Sequence, residues 1–143
     1  HGPRNDLPRE YQPKEVIPLL NGMKDEILCV RGNCEAEVDQ MVLQFPVLAD
    51  YALVALGKRL VFLTHGHLFN EQHLPPLKDG DILLHGHTHV PACEDCGDFT
   101  YLNPGSVSIP KENSPHSYMI YEDGVFSWKN LETGETYRTF SIS

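Results

Sequence analysis

DILLHGHTHVP, residues 81–91, carries an apolar run directly into three histidines at alternate positions. A short apolar run of this kind is typical of a buried strand. The arrangement recurs twice upstream, because RLVFLT is followed at once by His65 and DEILCV is followed closely by Asn33. Open sheets build their sites at the carboxyl ends of their strands. We therefore expect one edge of a sheet to bring together Asn33, His65, His87 and His89.

Imidazole nitrogens together with an amide oxygen form a ligand set that suits Mn, Fe or Zn better than Ca or Mg. An HxH pair cannot close a metal site alone, so further ligands have to come from other strand ends. The alternatives are that these histidines are surface loop residues, or that they form hydrogen bonds inside the core. A single histidine would favour one of those alternatives, whereas four positions that each follow a strand favour a site.

The rest of the chain alternates helical and strand patterns. Amphipathic spacing predicts helices over residues 12–23 and 34–45, and Pro18 is expected to kink or shorten the first one. Apolar runs predict strands at residues 25–30, 51–56, 59–66 and 81–86, a hairpin over residues 91–106, and three antiparallel strands from Ser117 onward.

Size and charge limit the function classes. The 143 residues fit one domain, 1–143, which is large enough to bury a core. Eleven Lys and Arg against 20 Asp and Glu give a net charge of −9, which repels a nucleic-acid backbone, so duplex nucleic acid is not expected as a partner. Because the sequence has neither an apolar run of membrane-spanning length nor a secretory pattern, we expect no membrane partner and a cytoplasmic location.

The cysteines point to no zinc ribbon. CEDC, residues 93–96, is a single CxxC motif, and a zinc ribbon requires a second one. A structural zinc site at CEDC is therefore a minor alternative. Cys29 lies inside an apolar run, where a small buried thiol is the ordinary outcome.

Four motifs resemble those of the calcineurin-like metallophosphoesterases, most closely the small YfcE-type phosphodiesterases; in order they are RGNCE (31–35), THGH (64–67), LLHGHTH (83–89) and NPGS (103–106). The resemblance implies an α+β fold with four layers, α/β/β/α, in which a two-layer β-sandwich is flanked by helices. It also implies two divalent metal ions at the strand ends, with Mn²⁺ as the first expectation and Zn²⁺, Fe or Ni²⁺ as alternatives. The implied reaction is hydrolysis of a small phosphodiester substrate by a hydroxide that bridges the two metal ions and attacks phosphorus.

The resemblance also implies which residues bind metal. Carried over residue by residue, it makes Asn33, His65 and His87 ligands of one metal ion. His89 becomes a ligand of the other metal ion. His85 matches no ligand position, so it is expected to be a neighbour of the site.

Three further residues are candidates for catalysis and substrate binding. Cys34 stands where many relatives have a proton-donating histidine, and the YfcE-type group resembles this chain in having cysteine there. A thiol with a pKa of about 8.5 is a poorer acid near neutrality than imidazolium, so substrates with good leaving groups are expected. His67 and Arg4 are candidate substrate-binding residues, Arg4 through its bidentate guanidinium group.

One part of the family pattern is missing. The family's first strand carries a DxH pair and its second strand a metal-bridging aspartate, and neither precedes His1. We therefore expect an N-terminally truncated domain with a weak half-site and an apolar sheet edge that could pair into a homo-oligomer. The alternatives to an active enzyme are a non-catalytic protein-binding scaffold, like the retromer-subunit branch of the family, and an inactive fragment. The four downstream ligand positions favour the enzyme.

Overall fold

The structure, a computed structural model, describes residue 7 and residues 9–142. Arg4 lies outside these residues. Within the described part the helices are α1 (Pro13–Asn21) and α2 (Glu37–Val42), with a 3-10 turn at Lys24–Glu26. The strands are β1 (Tyr51–Leu56), β2 (Arg59–Thr64), β3 (Asp81–His85), β4 (Ala92–Asp95), β5 (Phe99–Asn103), β6 (Ser117–Glu122), β7 (Val125–Asn130) and β8 (Thr136–Ser141).

The strands form a five-stranded mixed sheet in the order β1-β2-β3-β5-β4 and a three-stranded antiparallel sheet in the order β6-β7-β8. In the larger sheet β2, β3 and β5 run parallel, whereas β1 and β4 join its edges as antiparallel hairpin partners. The β4–β5 hairpin turns at Gly97, whose φ of 89° lies in the left-handed region that glycine tolerates. The strands predicted from residue 51 onward are confirmed.

The two sheets enclose the main core. Val61, Ile82 and Leu102 from the three parallel strands pack against Phe126 and Trp128 of β7. The opposite faces of the same strands carry a second cluster, formed by Phe62, Leu83, Phe99 and Tyr101. Because β2 and β3 are covered on both faces, their sequences read as continuous apolar runs instead of alternating ones. The α+β fold expected from the resemblance is confirmed.

The prediction of a strand at residues 25–30 was wrong for the described part of the chain. Residues 24–26 form the 3-10 turn, and Ile27 is extended (φ −105°, ψ 128°) without belonging to a strand. At the end of this run the Arg31 N–H donates to the Ala49 carbonyl at 2.6 Å. A strand requires a paired ladder, and no described strand forms one with this run.

The helix predicted over residues 34–45 is shorter than expected. α2 spans only Glu37–Val42, and Leu43 is extended (φ −98°, ψ 136°). The Gln40 amide donates to the carbonyls of Leu43 and Phe45 and accepts from the Val47 N–H. This side chain supplies partners to the backbone that leaves the helix, so the chain can turn away without burying unpaired groups.

None of the helices in the described residues is long and apolar enough to cross a membrane.

Candidate active site

The carboxyl ends of β2, β3 and β5 meet at one edge of the larger sheet. His65 directly follows β2, His85 ends β3, and Asn103 ends β5. The Gly86 N–H donates to the His65 carbonyl at 2.9 Å, which extends the parallel pairing one residue past the strands. This bond holds the residues that follow the two strands side by side.

Three donor atoms from three segments converge at this edge. Asn33 Oδ1 lies 2.8 Å from His65 Nε2, and His87 Nδ1 lies 3.2 Å from the same nitrogen. Transition-metal ligands sit about 2.0–2.2 Å from the ion, so two ligands of one ion are about 3 Å apart. The spacing of these donors therefore fits a single divalent ion.

The donors line a cavity of about 200 Å³. Its walls are formed by Gly32, Asn33, Cys34, Glu35, His65, His87, His89, Ser106, Ser108, Ile109 and Lys111. All four histidine and asparagine positions expected as metal ligands therefore face one cavity. We refer to Asn33, His65, His87 and His89 as the ligand rim.

The backbone of the ligand rim departs from ordinary geometry. His87 has φ 67° and His89 has φ 63°, both in the left-handed region that residues other than glycine rarely adopt. Such a conformation costs on the order of 1–3 kcal/mol per residue and persists only where the surroundings enforce it. Left-handed backbone at both histidines breaks the strand alternation, so their side chains no longer follow the direction set by His85.

Asn103 supplies much of that enforcement. Its side-chain amide nitrogen, with two N–H groups, lies at hydrogen-bond distance from the Gly86 carbonyl (3.1 Å), the Thr88 hydroxyl (3.0 Å) and the Tyr101 hydroxyl (2.9 Å). The Trp128 indole N–H donates to the Asn103 backbone carbonyl at 2.7 Å, and both residues are fully buried. The bonds to Gly86 and Thr88 bracket His87, so Asn103 anchors its loop to the core.

His85 lies beneath the cavity, with 2% of its surface exposed. Its Nδ1 is 2.9 Å from the Gly86 carbonyl, its Nε2 contacts a Glu71 carboxylate oxygen, and its ring stacks on Tyr101. A Cβ on Gly66 would lie 2.5 Å from His85 Nδ1, so glycine is required there. Both ring nitrogens face acceptors, which agrees with the expected role as a neighbour. We call His85, Tyr101 and Asn103 the supporting layer.

His89 is oriented differently from the other rim histidines. Its Nδ1–H donates to the Ile109 carbonyl at 2.8 Å, which leaves Nε2 as the nitrogen with a free lone pair. Metal-binding histidines are commonly oriented by such a second bond. In the described residues no group of three His, Cys, Asp or Glu side chains could hold a metal ion. The donor set that converges on His65 therefore needs the Asn33 amide to complete it. His89 is the remaining rim residue, and it is the candidate ligand for a second ion.

The electrostatics of the rim favour neutral imidazoles. Burial, followed by the neighbouring imidazoles of the site, lowers the pKa of His65 from 6.5 to about 4. Burial and the nearby His67 also lower the pKa of His87. Metals bind the neutral form of imidazole, so both side chains are ready to act as ligands at neutral pH.

Two more predicted site residues lie at this edge. Cys34 lines the cavity next to Asn33. The His67 ring lies 5.3 Å from the His65 ring, and within the described residues its buried Nδ1 has no hydrogen-bond partner. His67 is not part of the cavity wall, so its role in substrate binding stays a prediction.

The structure adds Ser106, Ser108 and Lys111 to the cavity wall. These residues belong to SVSIPK (106–111), which begins at the last residue of the NPGS motif. A chain segment that leaves a sheet edge close to predicted ligands was the only signal that could have pointed to them.

The CEDC motif takes no part in this site. Cys93 packs against the core between the sheets, and Cys96 is exposed. Neither belongs to a group of metal ligands in the part of the chain that the structure describes. Nothing in the structure therefore supports the alternative of a zinc site at CEDC.

Comparison with known proteins agrees with this arrangement. Residues 10–123 match the family described as the calcineurin-like phosphoesterase superfamily domain. The chain is 50% identical over 127 residues to the phosphodiesterase YfcE of Escherichia coli K12, covering 89% of this chain and 69% of that protein. It is 26% identical over 136 residues to the probable metallophosphoesterase YsnB of Bacillus subtilis, covering 73% of this chain and 80% of the relative.

A solved structure of E. coli Yfce, described as a phosphoesterase, superimposes with a TM-score of 0.95 at 45% sequence identity. The superposition covers 100% of this chain and 79% of that one.

Proposed function

This chain belongs to the calcineurin-like phosphoesterase superfamily and is a metal-dependent phosphoesterase, and from that premise we propose that it hydrolyses small phosphodiesters at the ligand rim. Asn33, His65 and His87 hold one divalent ion, and His89 contributes to a second. A divalent ion supplies an activated water near neutral pH and neutralises charge on the phosphoryl group. Mn²⁺ is the first candidate, with Zn²⁺, Fe and Ni²⁺ as alternatives, because the donors are imidazole and amide groups without thiolate.

One observation carries this proposal. Asn33 Oδ1, His65 Nε2 and His87 Nδ1 come from three separate segments, yet Asn33 Oδ1 and His87 Nδ1 lie 2.8 and 3.2 Å from His65 Nε2. Chance neighbours on a surface do not require a residue such as His87 to adopt left-handed backbone to reach its position. The alternative of a non-catalytic scaffold gives no reason to maintain this donor set, so the observation favours the enzyme.

Cys34 is proposed to face the leaving group. It lines the same cavity as the metal-binding donors. A thiol is a weaker acid than imidazolium, so it protonates a leaving group less readily near neutrality. Aryl diesters, which need little help to leave, are therefore the preferred test substrates. His67 is proposed to contact a phosphate oxygen.

The proposed function is tested by hydrolysis of a chromogenic aryl phosphodiester such as bis(4-nitrophenyl) phosphate. We expect Mn²⁺ to stimulate turnover strongly and exhaustive chelation to silence it, with recovery when Mn²⁺ is restored. Parallel titrations with Zn²⁺, Fe²⁺ and Ni²⁺ rank the candidate metals. Full activity after chelation would refute the metal-dependent mechanism.

The role of Cys34 is tested by Cys34→His. If residue 34 faces the leaving group, imidazolium should raise turnover of alkyl diesters and monoesters relative to aryl diesters, because those substrates need a proton donor. Cys29→Ala is the matched cysteine control, since Cys29 does not line the cavity. An unchanged substrate profile in Cys34→His would show that residue 34 takes no part in protonation.

A further inference from the structure

Lys111 is a cavity residue to which neither metal binding nor leaving-group protonation gives a role. Among the described residues that line the cavity it is the only one with a cationic side chain. The chain as a whole has a net charge of −9 and only 11 Lys and Arg residues. A cationic residue in the cavity wall of such an acidic chain therefore calls for a physical explanation.

The backbone at Lys111 is fixed relative to the ligand rim. Its N–H donates to the His89 carbonyl at 3.0 Å, and its own carbonyl accepts from the Ser114 N–H at 3.1 Å and from the Ser114 hydroxyl. Glu112 and Asn113 complete the turn with φ values of 54° and 58°, in the left-handed region. The turn thus holds the Lys111 backbone beside His89, a candidate metal ligand.

The side chain of Lys111, in contrast, is exposed. Among the described residues its ammonium group has no hydrogen-bond or ion-pair partner. The acidic residue in the same wall, Glu35, accepts a hydrogen bond from the Gly32 N–H. The backbone of Lys111 is fixed and its ammonium group is exposed at the cavity wall, so this group is available to bind an anionic ligand.

A phosphodiester fits this position chemically. It carries one negative charge shared by two non-bridging oxygens, and a lysine ammonium group binds such oxygens as a point charge with three donors. Proton donation is a weaker explanation, because a lysine side chain is a weaker acid than a cysteine thiol and Cys34 already lines the same cavity. The position therefore suits binding of substrate in preference to proton transfer.

We propose that Lys111 is a substrate-binding residue whose ammonium group donates to a non-bridging oxygen of the phosphodiester. The proposal rests on the proposed function of the site and adds a contact that is independent of the metal ligands. Because such a contact exists before and during the reaction, it acts on KM more than on kcat.

The test compares Lys111→Met and Lys111→Arg with the wild-type protein after Mn²⁺ loading. Two quantities are measured: KM and kcat for bis(4-nitrophenyl) phosphate, and the Kd of inorganic phosphate by calorimetry. A hydrogen bond to a charged group strengthens binding roughly tenfold. Lys111→Met should therefore raise KM and the phosphate Kd by about that factor. kcat should change much less, and Lys111→Arg should restore most of the lost affinity.

Lys58→Met is the matched control, because Lys58 lies in the β1–β2 turn at the end of β2 opposite to His65. Metal content per chain is measured in every variant. A fall in metal content of Lys111→Met would mean that the residue acts through His89, and would overturn the proposal. Unchanged KM and phosphate Kd would overturn it as well.

The two proposals fail in different ways. If the wild-type protein does not hydrolyse the diester, the proposed function fails, but the phosphate Kd of Lys111→Met still decides whether Lys111 binds phosphate. If the wild-type protein is active and Lys111→Met matches it in both measurements, only the assignment of Lys111 fails.

Discussion

His85 and His87 are separated by a single glycine, yet they belong to two different regions of the molecule. His85 is part of the supporting layer, is almost fully buried and uses both ring nitrogens in contacts with Gly86 and Glu71. His87 is part of the ligand rim, is exposed and directs Nδ1 toward His65. The end of β3 and the backbone conformation after it, not residue type, therefore separate a support from a ligand.

The alternating spacing of the three histidines is misleading in this respect. In a continuous strand, residues at alternate positions share one face. β3 ends at His85, and the left-handed backbone of His87 and His89 turns their side chains away from that shared face. The same histidine pattern thus produces one structural residue and two candidate ligands.

The largest expected effect comes from breaking the rim at His87. His87→Ala removes one of three converging donors, and a bound metal supplies several kcal/mol of transition-state stabilisation, so turnover should fall by about 10³-fold or more. Bound metal per chain should fall with it. The melting temperature of the metal-free protein should change little because His87 is exposed. Activity assays, metal analysis and thermal melts measure the three quantities.

His85→Ala is the matched variant in the supporting layer. It should leave metal per folded chain nearly intact but lower the free energy of unfolding by about 2–4 kcal/mol, because the stacked ring and its hydrogen bonds are lost from a buried position. Equal losses of bound metal in the His85 and His87 variants would show that the two regions have been assigned wrongly.

An intermediate effect is expected where the two regions are joined, at Asn103. Asn103→Leu removes the side-chain amide that contacts the Gly86 carbonyl and the hydroxyls of Thr88 and Tyr101, and it releases the loop that holds His87 in its left-handed conformation. Loss of such a supporting contact typically weakens metal binding by about 10–100-fold. Metal affinity is measured by competition with a chelator.

Val61→Ala is the control for the Asn103 variant. Val61 is buried between the sheets, so its truncation costs stability by about 1–3 kcal/mol without touching the loop. If Val61→Ala weakens metal binding as much as Asn103→Leu does, Asn103 acts only through general stability.

The smallest effect concerns pH. Burial and the neighbouring imidazoles lower the folded-state pKa of His65 from 6.5 to about 4. Between these two values the unfolded chain binds more protons than the folded chain, so the stability of the metal-free protein should fall as pH drops from 6.5 toward 4. His65→Gln should reduce this pH dependence. Urea unfolding with a chelator at pH 5 and pH 7 measures the difference. An NMR titration midpoint near 6.5 for folded His65 would contradict it.

The sequence predicted the part of the fold that depends on local pattern. Apolar runs bounded by glycines located β2 and β3, and the rule for strand ends placed His65 and His87 at one edge. The run at residues 25–30 has the same apolar character, but strand formation also depends on a neighbour that completes a ladder, which the run itself does not encode.

The site was predictable to the extent that motifs mark it. The converging donors were found, whereas Lys111 was missed, because it reaches the cavity through a turn tied to the His89 carbonyl and not through a motif. The premature end of α2 was missed for a similar reason. Gln40 reaches forward to Phe45 and Val47, and such contacts are visible only in three dimensions.

The two histidine pairs have a consequence for the denatured chain. His65 with His67, and His87 with His89, are each separated by one residue, so both pairs survive unfolding as short chelating segments. A ligand that also binds the unfolded ensemble stabilises the native state less than its native affinity would suggest. Excess metal should therefore raise the melting temperature less and less as its concentration increases. It should also slow refolding by holding the two segments in non-native pairings, and a weak chelator in the refolding buffer would relieve this.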